Sequence, residues 1–194
     1  AGDLMIAQVQ FRSTAGAITT PAGWTLDLIY TTGARKWGIY SRIWQSGDTA
    51  PTFNVTGGSA GQNLLGYIWA ARGVTRKLLF GTVYAGGSGV TTSWGPITAP
   101  SPSGAAGIVA VCAQHNSQDS AIVTLTGDGL TWSAHNQYSV AGAGSCQTTQ
   151  TAVWTGGAPT LTSKTITSTN TVASVATGVF LFLMEAKPWT GGKW

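Results

Sequence analysis

Few residues in this chain could carry a reaction. Gly57-Gly58-Ser59-Ala60-Gly61 has the spacing of a nucleophile elbow, in which a serine sits on a sharp turn between a strand and a helix. The two histidines, His115 and His135, are the available bases, with Asp119 or Asp128 to orient them. The residues after Ser59, from Gln62 to Trp69, read as strand rather than helix, and a chain with 27 glycines meets such a pattern by chance. Glycoside hydrolysis needs two acids facing one cleft. Glu185 is the sole glutamate, and the five aspartates (Asp3, Asp27, Asp48, Asp119, Asp128) mostly fall in turn-like stretches, where Asp caps its own backbone. His115 with Asp119, and Asp128 with His135, lack a third metal ligand at a recognisable spacing. Cys112 and Cys146 make neither a disulfide framework nor a metal site. They read as two small buried apolar residues, able to pair only if their strands are neighbours. No phosphate loop or dinucleotide motif occurs. The expectation is a chain with no catalytic residue, no metal and no cofactor, and hence no enzyme.

The aromatic residues are the stronger candidates for contact. Nine Trp and five Tyr include rings that could stack on the apolar face of a pyranose, with Asn, Gln, Ser and Thr reading its hydroxyls. Trp44 and Trp154 recur at matching places and are expected to be packing residues. Trp24, in a Gly-Trp turn, Trp94, in the loop Thr91-Thr92-Ser93-Trp94-Gly95-Pro96, and Trp189 and Trp194, in the tail, are the candidate interaction or glycan surface.

The elements that must position these residues follow from composition. Only 8% of residues are charged, against about 25% in ordinary globular proteins. The chain holds 29 Thr, 27 Gly and 16 Ser. Thr and Gly disfavour helix, and the strong helix formers are scarce. With 43% hydrophobic residues a core can form, so disorder is not expected. The net charge of +4 comes from scattered residues, with only Arg35-Lys36 and Arg76-Lys77 adjacent. Nucleic acid, which rewards a clustered basic face, is therefore not an expected partner. The most apolar run, Val172 to Met184, is too short for a spanning helix of about 20 residues, so no membrane partner is expected. No signal peptide is visible, and a start at Ala-Gly-Asp suggests trimming or processing upstream.

Short apolar runs alternate with Gly, Pro, Asn and Ser clusters, which is the signature of strands. Twelve strands are expected, over 3–11, 25–30, 36–44, 52–55, 64–72, 78–84, 107–114, 121–125, 131–138, 146–154, 160–166 and 175–185. No segment keeps a 3.6-residue apolar period over three turns. The order of features repeats: a Gly-led apolar strand, a turn with its Trp, a strand ending in Trp44 or Trp154, a turn with Pro51 or Pro159, and a last apolar strand. The fold class expected is all-β: an antiparallel, jelly-roll-like β-sandwich with internally duplicated halves, about 1–75 and 105–186. The halves are expected to share one merged core in a single domain 1–194, with a tail at 187–194.

Gly2-Asp3-Leu4-Met5-Ile6-Ala7, then Pro21-Ala22-Gly23-Trp24-Thr25, Ile39-Tyr40-Ser41-Arg42-Ile43-Trp44 and Tyr67-Ile68-Trp69-Ala70-Ala71-Arg72-Gly73-Val74, resembles a group of bacteriophage and prophage proteins. In that group a "GDLL-A-V" strand precedes "P-GW", a tyrosine-bearing strand and an "A-YRGV" segment. The resemblance covers roughly residues 1–75, with Ala71 where the group usually has Tyr. It implies a non-enzymatic β-sandwich virion component: a capsid decoration or fibre protein, or a tail accessory protein, located in the particle after assembly in the host cytoplasm. The partners it implies are copies of itself and other virion proteins. A carbohydrate-binding module for adhesion to host-surface glycan is the alternative. Low charge and strands apolar on both faces suit a chain that hides surface by assembling.

Overall fold

The computed structural model describes residues 2–32, 35–58, 62, 64–72, 74–79, 84–94, 106–115, 122–124, 131–133, 136–140, 145–155 and 166–186. The chain falls into two compact units, Ala1–Arg72 and Gly73–Trp194. Among the described residues all regular structure is strand, every pairing is antiparallel, and no helix occurs. The composition points to this, since Thr and Gly penalise helix and β-branched side chains fit a pleated surface.

The first unit holds β1 (Leu4–Phe11), β2 (Ala17–Thr19), β3 (Thr25–Thr32), β4 (Arg35–Ile43), β5 (Asn54–Thr56) and β6 (Leu64–Ala71). Four of them form a sheet in the order β3-β4-β1-β6, and β2 with β5 forms a separate ribbon. β1 is central, pairing without a break to β4 (Leu4 opposite Ile43) and to β6 (Leu4 opposite Ala71). That place explains a strand apolar on both faces: seven of its eight residues are buried. Side chains alternate along a strand, so Met5, Ala7, Val9 and Phe11 share one face of the sheet. On this face Ala7, Val9 and Phe11 pack with Ile18 of β2, Trp24 and Tyr40, and Met5, Phe53 and Val55 pack around them. Phe53 is the hub, meeting Tyr40 edge-on at 5.0 Å and Trp24 edge-on at 5.8 Å. Two glycines let the backbone close on Phe11. A Cβ at Gly16 or at Gly58 (φ +90°) would run into its ring. On the opposite face Leu4, Ile6, Gln8, Gln10, Trp37, Ile39 and Leu65 are buried.

The second unit holds β7 (Val74–Leu79), β8 (Tyr84–Trp94), β9 (Ala106–His115), β10 (Ile122–Thr124), β11 (Thr131–Trp132), β12 (Asn136–Val140), β13 (Ser145–Thr155) and β14 (Ile166–Ala186). Its sheet runs β10-β14-β9-β13-β11, with β12 also on β13 and with β7 and β8 also on β14. The 21-residue β14 runs without a break through 167–174, which the sequence leaves between expected strands at 160–166 and 175–185; of the first of these, 160–165 lie outside the described residues. The polar stretch between them reads as a break, yet Thr167 to Thr169 pair with β8 and β10. β8 is likewise absent from the expected strands because its glycines, Gly86, Gly87 and Gly89, read as a turn. It is held by its pairing to β14, which tolerates two register shifts along the way. β9 of the second unit, like β1 of the first, lies between two antiparallel neighbours, β13 and β14 in the one case and β4 and β6 in the other.

Candidate interaction surfaces

Two turns and one arginine build the most structured surface of the first unit. Trp24 N–H donates to Pro21 O at 3.1 Å across a turn whose third residue, Gly23, has φ +76°. Asp48 N–H donates to Gln45 O at 3.1 Å across a second turn, with Gly47 at φ +88°. A left-handed third residue is the requirement of a type II turn, and glycine meets it without strain. Arg42, from the end of β4, ties the two together. Its guanidinium donates to Ala22 O at 3.1 Å and is ion-paired to Asp48 Oδ1, while Asp48 Oδ2 accepts from Gln45 N–H at 2.7 Å. The guanidinium lies so close on Gly23 that a Cβ there would sit 2.7 Å from Nη1.

Between these turns an open groove of about 430 Å³ runs over Trp24, Pro21 and Pro51. Thr19, Thr20, Thr49, Thr52 and Asn54 supply hydroxyls and an amide, and Arg42 lines it as the one charged group. Because Asp48 neutralises Arg42, the groove offers hydrogen bonds without net charge. That chemistry suits a neutral, hydroxyl-bearing ligand better than an anion.

Trp24, which its Gly-Trp turn alone marks in the sequence, is 7% exposed and packed on Phe53. It therefore floors the groove with part of its indole and offers no open stacking face. Trp94 ends β8, opposite Ile166 of β14. Trp189 and Trp194 lie outside the described residues, as do Ser59, Asp119, Asp128 and His135. Arg42 and the threonines do not stand out in the sequence. The signal available for Arg42 is its place on a strand ending between two Gly turns.

Exposed apolar residues form the other surface. Leu26, Ile29, Leu64 and Ile68 share the sheet face that also carries Met5 and Tyr40, with Leu26 and Ile29 on edge strand β3 and Leu64 and Ile68 on edge strand β6. The middle of that face is the core described above, so the open apolar positions lie at both ends of the sheet.

The register of the second unit bears on the cysteines. β9 and β13 are neighbours, but Cys112 stands opposite Thr149, and Cys146 stands opposite His115. A three-residue offset along a strand is about 10 Å, and residues three apart point to opposite faces. A disulfide needs Cα atoms within about 7 Å, and this register does not set the two cysteines opposite each other. Among the described residues no group of three or more His, Cys, Asp or Glu could hold a metal ion, and no helix is long and apolar enough to cross a membrane. Compared with known proteins, the chain matches no family model, no curated protein and no solved structure.

Proposed function

We propose that this chain is a non-enzymatic structural subunit of a bacteriophage particle, a capsid decoration or fibre protein or a tail accessory protein, that acts by protein–protein assembly. The observation that carries the assembly reading is the first unit's sheet, whose two edges expose Leu26, Ile29, Leu64 and Ile68 in a chain with 8% charged residues. A monomer kept soluble by surface charge does not distribute its residues this way, whereas an assembling subunit covers them. The virion setting rests on the resemblance of residues 1–75 alone. The finer architecture belongs to the same proposal. The placement of β1 and β9 each between two antiparallel neighbours, with the repeated Trp44/Trp154 and Pro51/Pro159 of the sequence, supports a duplicated, jelly-roll-like sandwich. Co-sedimentation of purified chain with phage particles lacking it, read beside its mass in solution, tests the proposal. Monomers that never join a particle would overturn it.

The groove favours a second reading, adhesion to a neutral host-surface glycan. It predicts saturable glycan binding that is lost on Thr52→Ala, at an exposed position of the groove lining. A glycan array without a hit would remove its support.

A further inference from the structure

We propose that β6 is the edge through which two copies of this chain join, antiparallel and about a twofold axis at Gly66. This inference rests on the assembly reading above and names the surface it uses. A sheet edge presents alternate N–H and C=O groups to whatever lies beside it, and proteins that stay monomeric guard such edges with charge, proline or a bulge. The first unit's sheet has two ends, β3 and β6, and they are treated differently. β3 is guarded: its register shifts between Leu26 and Leu28, which places an acid, Asp27, in a bulge. β6 is Leu-Leu-Gly-Tyr-Ile-Trp-Ala-Ala, with no charge and no proline, and it pairs to β1 along all eight residues without a shift. On its other side no described strand pairs with it.

The strand is also complementary to itself. Its exposed face is Leu64, Gly66, Ile68 and Ala70, with Leu64 36% and Ile68 39% exposed. Antiparallel pairing centred on Gly66 sets Leu64 against Ile68 of the partner subunit, and Ile68 against Leu64 of the partner subunit. Four apolar side chains that now face water then close into one row, the arrangement in which cross-strand pairs stabilise a sheet. Glycine at the axis lets the strands meet without crowding. Because the bulge on β3 spoils its ladder, head-to-tail pairing of β3 with β6 is disfavoured, and the contact closes as a dimer instead of propagating as a filament.

The test uses the full chain. A Cβ at Gly66 would meet nothing closer than Val9 Cγ2 at 4.0 Å, so Gly66→Cys fits the fold. Directly opposed residues on antiparallel strands have Cα atoms about 4.5–5.5 Å apart, within disulfide range. Gly66→Cys in a Cys112→Ala/Cys146→Ala background is expected to give a covalent dimer on mild oxidation. Ile68→Lys is expected to weaken dimerisation at least tenfold by analytical ultracentrifugation, while Leu26→Lys, on the guarded edge, leaves it unchanged. A covalent dimer from Gly66→Cys supports the assignment even if Ile68→Lys misfolds. Oligomers that survive Ile68→Lys, give no Gly66 cross-link and weaken with Leu26→Lys overturn the β6 assignment and leave the assembly reading standing. A wild-type monomer that still joins particles does the same, whereas a monomer that joins none overturns both.

Discussion

Tyr40 offers the sharpest test of the core. Its side chain is fully buried, and its hydroxyl has no hydrogen-bond partner among the described residues. The ring lies back over Gly38, whose missing Cβ would sit 2.6 Å from Cε2 and 2.9 Å from the hydroxyl oxygen. A buried, unpaired hydroxyl costs roughly 1–3 kcal/mol in desolvation. Its removal leaves a hole of about 10–15 Å³, which costs about 0.3 kcal/mol at roughly 24 cal/mol per Å³. Tyr40→Phe is therefore expected to stabilise the chain by about 1–2 kcal/mol, or roughly 2–8 °C in Tm for a chain of this size. The same burial pushes the phenol up to about 12 from its ordinary 10. A raised phenol holds its proton more tightly when folded, so its contribution is complete below pH 10 and is lost as pH rises through 12. Two pKa units correspond to at most about 2.7 kcal/mol, and solvent screening reduces that. Arg35 works the other way, since burial, with Arg12 nearby, lowers it to about 10, and its charged form burdens the fold least above that pH. The difference between wild type and Tyr40→Phe cancels the Arg35 effect. Thermal melts of both proteins at about pH 7.5 and about pH 11 should show the variant ahead at each, with a wider gap at the higher pH. A variant less stable by about 1 kcal/mol near neutral pH would mean that the hydroxyl has a partner, and the argument would fail.

Other perturbations follow from the same unit. Gly16→Ala drives a methyl into Phe11 with Thr56 O at 3.0 Å and Gly57 O at 3.1 Å behind it. It should cost about 1–3 kcal/mol in a denaturant melt, whereas Gly2→Ala, with open space around it but φ +98°, should cost about 1–2 kcal/mol from its left-handed backbone alone. Asp48→Ala removes both the Arg42 ion pair and the bond from Gln45 N–H. It should cost about 1–2 kcal/mol and raise the susceptibility of the 45–53 segment to limited proteolysis. Thiol titration in denaturant without reductant should find two free thiols per chain, and a value near zero with a monomeric mass would refute the β9–β13 register.

Most of the strands are legible in the sequence, because their apolar residues sit in runs bounded by Gly and Pro. β1, β4, β6, β9 and β13 lie within a residue or two of the expected spans. The short ribbon β2–β5 is only half legible, since Ala17-Ile18-Thr19 has no length to signal itself and exists because Ile18 closes over Phe11. β8 and the middle of β14 are hidden for the opposite reason: glycine and hydroxyl residues read as linker, and only a neighbour at the right register makes them strand. The groove is less legible still. Trp24 stands out as an aromatic in a turn, but its burial against Phe53 depends on a contact 29 positions along the chain. Arg42 looks like one scattered cation among ten. That it joins two glycine turns follows from β4 ending between them, which no local pattern reveals.

The two surfaces of the first unit differ in what they ask of charge, and that difference separates the roles proposed for them. The groove uses a carboxylate to neutralise Arg42, leaving fixed, uncharged donors and acceptors. Edge β6 carries no charged residue at all. In the order β3-β4-β1-β6 the groove lies over the β3–β4 end through Trp24 and Arg42, while the β6 edge is two strands from β4. A dimer formed through β6 therefore leaves a groove open on each copy, and binding of a glycan carried on a surface would gain from two sites held together. Thr52→Ala, at an exposed position of the groove lining, should then weaken glycan binding without changing the sedimenting mass. Ile68→Lys should leave the affinity for a soluble monovalent oligosaccharide unchanged and lower retention on a glycan-coated surface at least tenfold. If Ile68→Lys weakened the soluble-ligand affinity equally, the groove and the edge would be one coupled site, and the separation argued from strand order would be wrong.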